Sequence, residues 1–120
     1  MKRYLSDLLL TGIKWENACA GMLLKHVHFE QDARGKPASL HYLRTKDGAE
    51  VDFVLCVDGN PTHLIECKLR DNRPAAAFVK FARLFPNALS IQLVRELRQE
   101  ENRQPVSILQ GAAWLAELAA

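Results

Sequence analysis

The chain has little of what marks secreted, membrane-bound or disulfide-stabilised proteins. Its 120 residues contain three cysteines, Cys19, Cys56 and Cys67, with no Cys-x-x-Cys pair, which indicates free thiols in a reducing compartment. No stretch approaches the ~20 apolar residues of a membrane span, and no signal-peptide cleavage site follows Leu8-Leu9-Leu10. We therefore expect a cytoplasmic protein without a membrane partner, and a single domain over residues 1–120.

Charge and aromatic content give only weak support to several kinds of partner. Sixteen basic and fourteen acidic residues leave a net charge of +2, so nucleic acid is permitted as a partner without being required. Aromatic residues make up only 8% of the chain and lie at core spacing, which gives a base-stacking surface little support. The four histidines show no clustering typical of zinc ligands, and no Ser-His-Asp or Cys-His arrangement is indicated.

Hydrophobic periodicity and turn residues predict an alternation of helices and strands. Residues 1–12 are predicted to form a short amphipathic or irregular lead that ends at Thr11-Gly12, and residues 31–37 a charged loop. Asn72 is a candidate N-cap for the helix that has Pro74 in its first turn. The predicted elements are a helix over 13–27, strands over 40–45, 49–57 and 62–69, a helix over 74–84, a strand over 88–94, a charged loop or frayed helix over 95–104, a short strand over 106–109 and a closing helix over 112–118.

The lengths of the connections predict how the strands pair. Short turns join the first three strands, which favours an antiparallel meander, and the helix after them allows the fourth strand to return in parallel by a right-handed crossover. The predicted fold is therefore an α/β sandwich around a mixed sheet flanked by helices. Its core order is helix, three strands, helix, strand (αβββαβ), with a C-terminal strand and helix added.

The most informative stretch runs from Gly48 to Leu69, where two apolar strands carry ionisable residues and a turn joins them. Side chains alternate between the two faces along a strand. We therefore expect Glu50 and Asp52 to share one face of the first strand. The apolar side chains predicted on its other face are Val51, Phe53, Leu55 and Val57.

The second strand repeats the pattern with an acid and a lysine. Glu66 and Lys68 are two positions apart, so they share a face. Because ionisable residues are seldom buried without partners, the pattern predicts that Asp52, Glu66 and Lys68 gather at one point, where two carboxylates and an ammonium suit a metal ion and water. Glu50 is a weaker ligand candidate because it lies nearer the turn. The alternative interpretation is a set of charges on the sheet surface, which contribute little if exposed.

A third acid lies on the first predicted helix. Glu16 heads a stripe at helical spacing that is otherwise apolar and suited to burial, formed with Cys19, Ala20, Leu23 and Val27. One interpretation is that a Glu in the first turn only favours the helix N-terminus. The other is that Glu16 points towards the two strands and joins their acids.

Residues in this order resemble the PD-(D/E)XK superfamily, which has the restriction-endonuclease-like fold. The matching positions are Glu16 on the helix, Asp52 on the second strand, and Glu66 and Lys68 on the third. Local sequence is similar to the C-terminal nuclease-like domain, of unknown function, in a group of prokaryotic AAA-type ATPases. The matching segments are Trp15-Glu16-Asn17, Gly48-Ala-Glu-Val-Asp-Phe-Val and Leu64-Ile-Glu-Cys-Lys-Leu. The similarity covers roughly residues 10 to 118.

The resemblance implies a metal-dependent nuclease that hydrolyses DNA phosphodiesters. Asp52 and Glu66 would bind Mg²⁺ or Mn²⁺ weakly, with Glu16 as a further ligand directly or through water. Lys68 would orient a water molecule or stabilise the charge that develops on the phosphate. The alternative is an inactive domain of the same fold that binds nucleic acid or protein for an ATPase. An unrelated small enzyme is a third possibility.

Two surfaces are candidates for partners. The predicted phosphate contacts are Arg34, Lys36, Arg70, Arg73 and Lys80. A partner ATPase module or self-association is predicted to use an apolar lead surface formed by Tyr4, Leu5, Leu8 and Leu9. No GxxxxGK[ST] loop is present, so we expect no ATP site in this chain, and either a fragment of a longer protein or a stand-alone relative.

Overall fold

A computed structural model describes the backbone of residues 2–119 and the side chains of residues 10–118. Within these residues the chain forms three helices and six strands. In chain order they are α1 (Lys2–Arg34), β1 (Ala38–Arg44), β2 (Glu50–Val57), β3 (Asn60–Lys68), α2 (Ala77–Leu84), β4 (Leu89–Val94), β5 (Glu101–Arg103), β6 (Val106–Gln110) and α3 (Gly111–Ala119).

The described strands form one mixed sheet in the order β1-β2-β3-β4-β6-β5. Strands β1, β2 and β3 form the predicted antiparallel meander, and β4 returns parallel to β3 after α2. Strand β6 pairs parallel with β4, and the three-residue β5 adds an antiparallel edge to β6. The predicted α/β class, the αβββαβ order and the C-terminal addition are therefore confirmed.

Two hydrophobic clusters cover opposite faces of the sheet. Phe78 and Phe81 of α2 are at most 1% exposed and pack on one face with Val54 and Leu64. Burying a phenylalanine contributes roughly 2–3 kcal/mol, so these two side chains secure a helix of only eight residues. On the other face, Cys19 and Leu23 of α1 and Leu115 of α3 pack against a second set of strand residues, Ile65, Ile91 and Leu93.

The first helix is longer than the sequence pattern predicted. Gly12 does not end it, and residues 2–12 of the predicted lead and residues 31–34 of the predicted loop over 31–37 belong to α1. A glycine costs about 1 kcal/mol relative to alanine in a helix. Helix formers on both sides of Gly12 offset this cost, and the helix ends only before Gly35, whose φ is +64°. The side chains of Tyr4, Leu5, Leu8 and Leu9 lie outside those that the structure describes.

Two further predictions are corrected by the structure. Asn72 does not cap α2, because that helix begins at Ala77 and no side chain caps its N-cap residue, Ala76. Residues 71–75 form a loop instead, held by contacts to β4 that are described below. The charged segment over 95–104 is not only loop, since residues 101–103 pair with β6.

The alternation of side chains along β2 is interrupted by a bulge. Leu43 pairs with Val51 and His41 pairs with Val54, so three steps on β2 oppose two steps on β1. The extra residue moves Val51 and Val54 into the same cluster, on the α2 side. Phe53 packs on the α1 side. The prediction that Val51, Phe53, Leu55 and Val57 all share one face is therefore wrong at Val51.

Candidate functional site

A second bulge brings the two strand acids opposite each other. At the hairpin turn Val57 pairs with Asn60, and this register continued would place Asp52 opposite Ile65. The pairing shifts between Leu55 and Cys56, and from there Phe53 pairs with Ile65. One step further along the shifted register, Asp52 lies opposite Glu66. The bulge therefore selects which residue faces Asp52.

At this position the side chains replace the backbone ladder. The last β2–β3 pair is Phe53 with Ile65, and beyond it the Asp52 amide donates to Glu66 Oε1 at 3.1 Å. The Cys67 amide donates to Asp52 Oδ2 at 2.8 Å. Each carboxylate therefore binds a backbone N–H of the neighbouring strand. The predicted meeting of Asp52 and Glu66 is present in the structure.

The two carboxyl groups also interact with each other. Burial, a hydrogen bond to the Asp52 carboxyl and the negative charge of Asp52 raise the pKa of Glu66 to about 8, against the opposing effects of the Asp52 amide and the Lys68 charge. Glu66 is only 9% exposed. A pKa of about 8 favours the protonated form of the Glu66 carboxyl at neutral pH. A divalent cation, which prefers carboxylate oxygens, fits this pair because it can take the place of that proton.

Glu16 lies near this pair without joining it. Partial burial, then the charges of Asp52 and Glu50, raise the pKa of Glu16. Helix α1 packs on the sheet face that carries Ile65, whereas Glu66, the next residue, lies on the opposite face. Among residues 10–118, no three His, Cys, Asp or Glu side chains are grouped so that they could hold a metal ion. A cation here would rest on Asp52 and Glu66.

Lys68 and Glu66 line an open cleft on the α2 side of the sheet. The cleft has a volume of about 730 Å³. Its walls are the β1–β2 turn, the loop over 71–75 and the start of α2, which contribute Gly48, Ala49, Glu50, Asp71, Arg73, Pro74, Ala75, Ala76, Ala77 and Lys80. Lys68 also acts on the loop, because its charge contributes to lowering the pKa of Asp71. The cleft is wide enough for an extended anion beside Glu66 and Lys68.

The predicted phosphate contacts divide into two groups. Arg73 and Lys80 line the cleft, where they pair with Asp71 at 3.2 Å and Asp47 at 2.8 Å. Arg70 lies just beyond β3 and pairs with Glu96 at 2.7 Å. These cations lie at the same end of the sheet as Lys68.

Arg34 and Lys36 lie at the opposite end. Arg34 ends α1 eighteen residues after Glu16, about 27 Å along a helix that rises 1.5 Å per residue. It pairs with Glu30 at 3.5 Å. Lys36 precedes β1, whose first residue pairs with Val57 at the far end of β2.

Gln92, which belongs to none of the motifs described above, also borders the site. Gln92 is fully buried in β4 and lies beside Glu66 in the parallel register. Its amide bonds the loop that carries Asp71 and Arg73. The sequence signal was available, because Gln92 is a lone amide within the apolar run Ile91 to Val94.

The cysteines and His63 lie in packed parts of the structure, outside the candidate site's pair of acids. Cys19, Cys56 and Cys67 are free thiols, and the Cys67 thiol has a raised pKa through its contact with Cys19 and its burial. His63 packs edge-on against Trp114, with ring centroids 5.9 Å apart. Within residues 2–119, no helix is both long and apolar enough to cross a membrane.

Comparison with known proteins supports a family and no activity. A family model described as a domain of unknown function (DUF4143) matches residues 11–113. The matched span includes all four residues of the candidate site and the αβββαβ core from residue 11 of α1 onwards. No curated protein matches the chain, and no solved structure matches it.

Proposed function

Because this chain belongs to the family of the domain of unknown function DUF4143, we propose a function from its own site: metal-dependent hydrolysis of DNA phosphodiesters, on a PD-(D/E)XK-like core. The observation that carries the proposal is the crossed pair of bonds between β2 and β3, in which each of two adjacent carboxylates accepts a backbone N–H from the other strand. A bulge in each strand aims these acids, and bulges are frequent next to active sites.

The residues present fit Mg²⁺ or Mn²⁺. Hard cations of this kind use one or two carboxylates and retain several waters, which is what Asp52 and Glu66 offer. Bound there, the cation would supply a more acidic water and neutralise charge on the phosphate. Glu66 would first lose its proton, because its pKa is raised to about 8.

The other cleft residues would orient the substrate. Lys68 projects from the same strand face as Glu66 and would hold an attacking water or a phosphate oxygen. Arg73 and Lys80 would bind neighbouring phosphates, since their exposed ion pairs are weak enough to exchange partners. Glu16 would act at a distance, through its charge or through water.

One observation favours a second candidate function. The proton that Glu66 retains at neutral pH and the backbone bonds of both acids also suit a structural pair that needs no metal. In that case the domain would be an inactive relative of the nucleases. It would bind nucleic acid, or it would bind the ATPase module of a longer protein.

Mn²⁺ binding and DNA cleavage separate these functions. We expect isothermal titration of the protein with Mn²⁺ to show weak binding that tightens as pH rises towards 8, because Glu66 must lose its proton. Supercoiled plasmid and labelled single-stranded DNA should be cleaved only with Mg²⁺ or Mn²⁺. Asp52→Asn should remove both activities while keeping an oxygen for the Cys67 amide.

Asp58→Asn is the matched control. It removes the same charge at the far end of β2, where the φ of +53° suits asparagine. It should leave Mn²⁺ binding and cleavage unchanged. A folded protein that ignores Mn²⁺ at millimolar concentration but binds DNA would support the inactive module and contradict the nuclease.

A further inference from the structure

Gln92 is a buried amide in a position where apolar side chains are usual. It is 0% exposed in the middle of β4, and its neighbours Ile91, Leu93 and Val94 are all buried and apolar. Burying an amide without hydrogen bonds costs several kcal/mol. In the parallel register Gln92 pairs with Glu66, so its side chain lies on the α2 side of the sheet, beneath the cleft.

The amide uses both of its N–H donors and its oxygen on one loop. Gln92 Nε2 donates to the carbonyl of Asp71 at 3.0 Å and to that of Arg73 at 2.8 Å. Gln92 Oε1 accepts from the Ala75 amide at 2.9 Å. Because two partners are carbonyls and the third is an N–H, only one orientation of the amide satisfies all three.

Backbone hydrogen bonds contribute little to holding the loop over 71–75 in place. In the described part of the chain, residues 71–74 make no backbone-to-backbone hydrogen bond. A local bond from the Arg73 amide to Asp71 Oδ1 at 2.9 Å shapes the turn without tying it to the sheet. Hydrogen bonds from the Gln92 side chain tie the loop to the sheet, and Ala75 at its end packs against the core.

We propose that Gln92 is a positioning residue of the candidate site, which holds the loop over 71–75 as a preformed wall of the cleft. Through the Arg73 carbonyl it fixes where the Arg73 guanidinium meets a phosphate, and through Asp71 it sets the charge beside Lys68. The role of Gln92 in DNA binding rests on the proposed function. The role of Gln92 in holding the loop rests on the geometry of the loop alone.

The test compares two buried polar positions on one strand. Gln92→Met keeps the length of the side chain and removes all three bonds. Ser90→Ala is the matched control, because Ser90 is also buried in β4, on the same face, and its Oγ has no hydrogen-bond partner. Both variants are compared with the unchanged protein by amide hydrogen exchange of the loop, Mn²⁺ titration and binding of a labelled DNA duplex.

In Gln92→Met we expect the amide of Ala75 and its loop to exchange about tenfold faster or more, since loss of a buried bond opens the segment locally. DNA affinity should fall by about tenfold, the equivalent of roughly one phosphate contact, while Mn²⁺ affinity is retained. Ser90→Ala should change none of these. Unchanged loop exchange in a stable Gln92→Met protein would overturn the inference.

A second variant and the loop-exchange measurement keep the inference testable if Gln92→Met does not fold or if the protein binds neither Mn²⁺ nor DNA. If Gln92→Met does not fold, Gln92→Asn retains a buried amide but is one methylene too short for all three bonds, and it should show the same loop exchange. If the unchanged protein binds neither Mn²⁺ nor DNA, the proposed function fails. The loop exchange then still shows whether Gln92 holds the loop.

Discussion

Asp52 and Glu66 each complete the hydrogen bonding of the other's strand. The Asp52 amide donates to the Glu66 carboxyl at 3.1 Å, and the Asp52 carboxylate accepts from the amide that follows Glu66 at 2.8 Å. The two strands therefore stay joined at the point where their backbone ladder ends. The same bonds hold two carboxyl groups together, which like charges alone would oppose.

The stability of the metal-free protein should fall as pH rises from about 4.5 to about 8. The pKa of Glu66 is about 8 in the folded state and 4.5 as its ordinary value. The folded state therefore binds more protons in this range, and its stabilisation is complete below pH 4.5 and lost through pH 8. We expect a loss of about 1–2 kcal/mol after screening by solvent, measured by urea unfolding. Glu66→Gln should remove this slope, and an unchanged slope would refute the raised pKa of Glu66.

Asp52→Ala should destabilise the fold although it relieves repulsion. The substitution leaves the partly buried Cys67 amide without its acceptor, and an unsatisfied N–H that is buried costs about 1–3 kcal/mol. Asp52→Asn keeps an acceptor oxygen and should be less destabilising by about 1 kcal/mol or more. Thermal unfolding of both variants at pH 7 checks this order. Equal stabilities would show that the bond to Cys67 contributes nothing.

Lys68→Ala should separate metal binding from cleavage. Lys68 lines the cleft but supplies no metal ligand, so Mn²⁺ affinity should change by about threefold or less. Cleavage should fall by about a hundredfold or more, because the ammonium acts on water and phosphate. Lys46→Ala, in the exposed β1–β2 turn, is the control. Loss of Mn²⁺ binding in Lys68→Ala alone would contradict this division of roles.

Salt dependence should distinguish the two groups of cations. Neutralising Arg73 or Lys80 should lower the slope of log affinity for DNA against log salt by about 0.9 each. Arg34→Gln, about 27 Å from Glu16 along α1, and Lys36→Gln, which precedes β1 at the far end of the sheet, should leave the slope unchanged. Fluorescence anisotropy between 50 and 200 mM salt spans the range over which such contacts are lost. A slope that depends on all four residues would require a larger DNA surface than the cleft.

Gly111→Ala should be among the most destabilising small substitutions in the chain. A Cβ at this buried position would lie 2.2 Å from Cζ2 of Trp15, so α1 and α3 would have to move apart. We expect a loss of about 1–3 kcal/mol, as for other overpacked sites. Gly21→Ala, whose Cβ would meet nothing within 4 Å, should stabilise the exposed face of α1 by up to about 1 kcal/mol. Chemical denaturation of both variants tests this contrast.

The sequence by itself determined the order of elements and the identity of the acids. Short turns favour an antiparallel arrangement of β1, β2 and β3, and the helix between β3 and β4 is long enough to allow a parallel return. Asp52, Glu66 and Lys68 were visible because charges within apolar strands need partners. These inferences depend on local periodicity and connection length, which a sequence contains directly.

Only the tertiary structure decided how the site is assembled. Plain alternation from the hairpin turn would pair Asp52 with Ile65, and a bulge, which the sequence did not reveal, moves it opposite Glu66. The full length of α1 was also hidden, because Gly12 is typical of a helix end in the sequence and yet lies inside α1. Gln92 could be noticed as a buried amide, but its role depends on a loop 17 to 21 residues away in the chain. Register and long-range hydrogen bonds follow from packing of the whole chain, since no local pattern determines which distant groups meet.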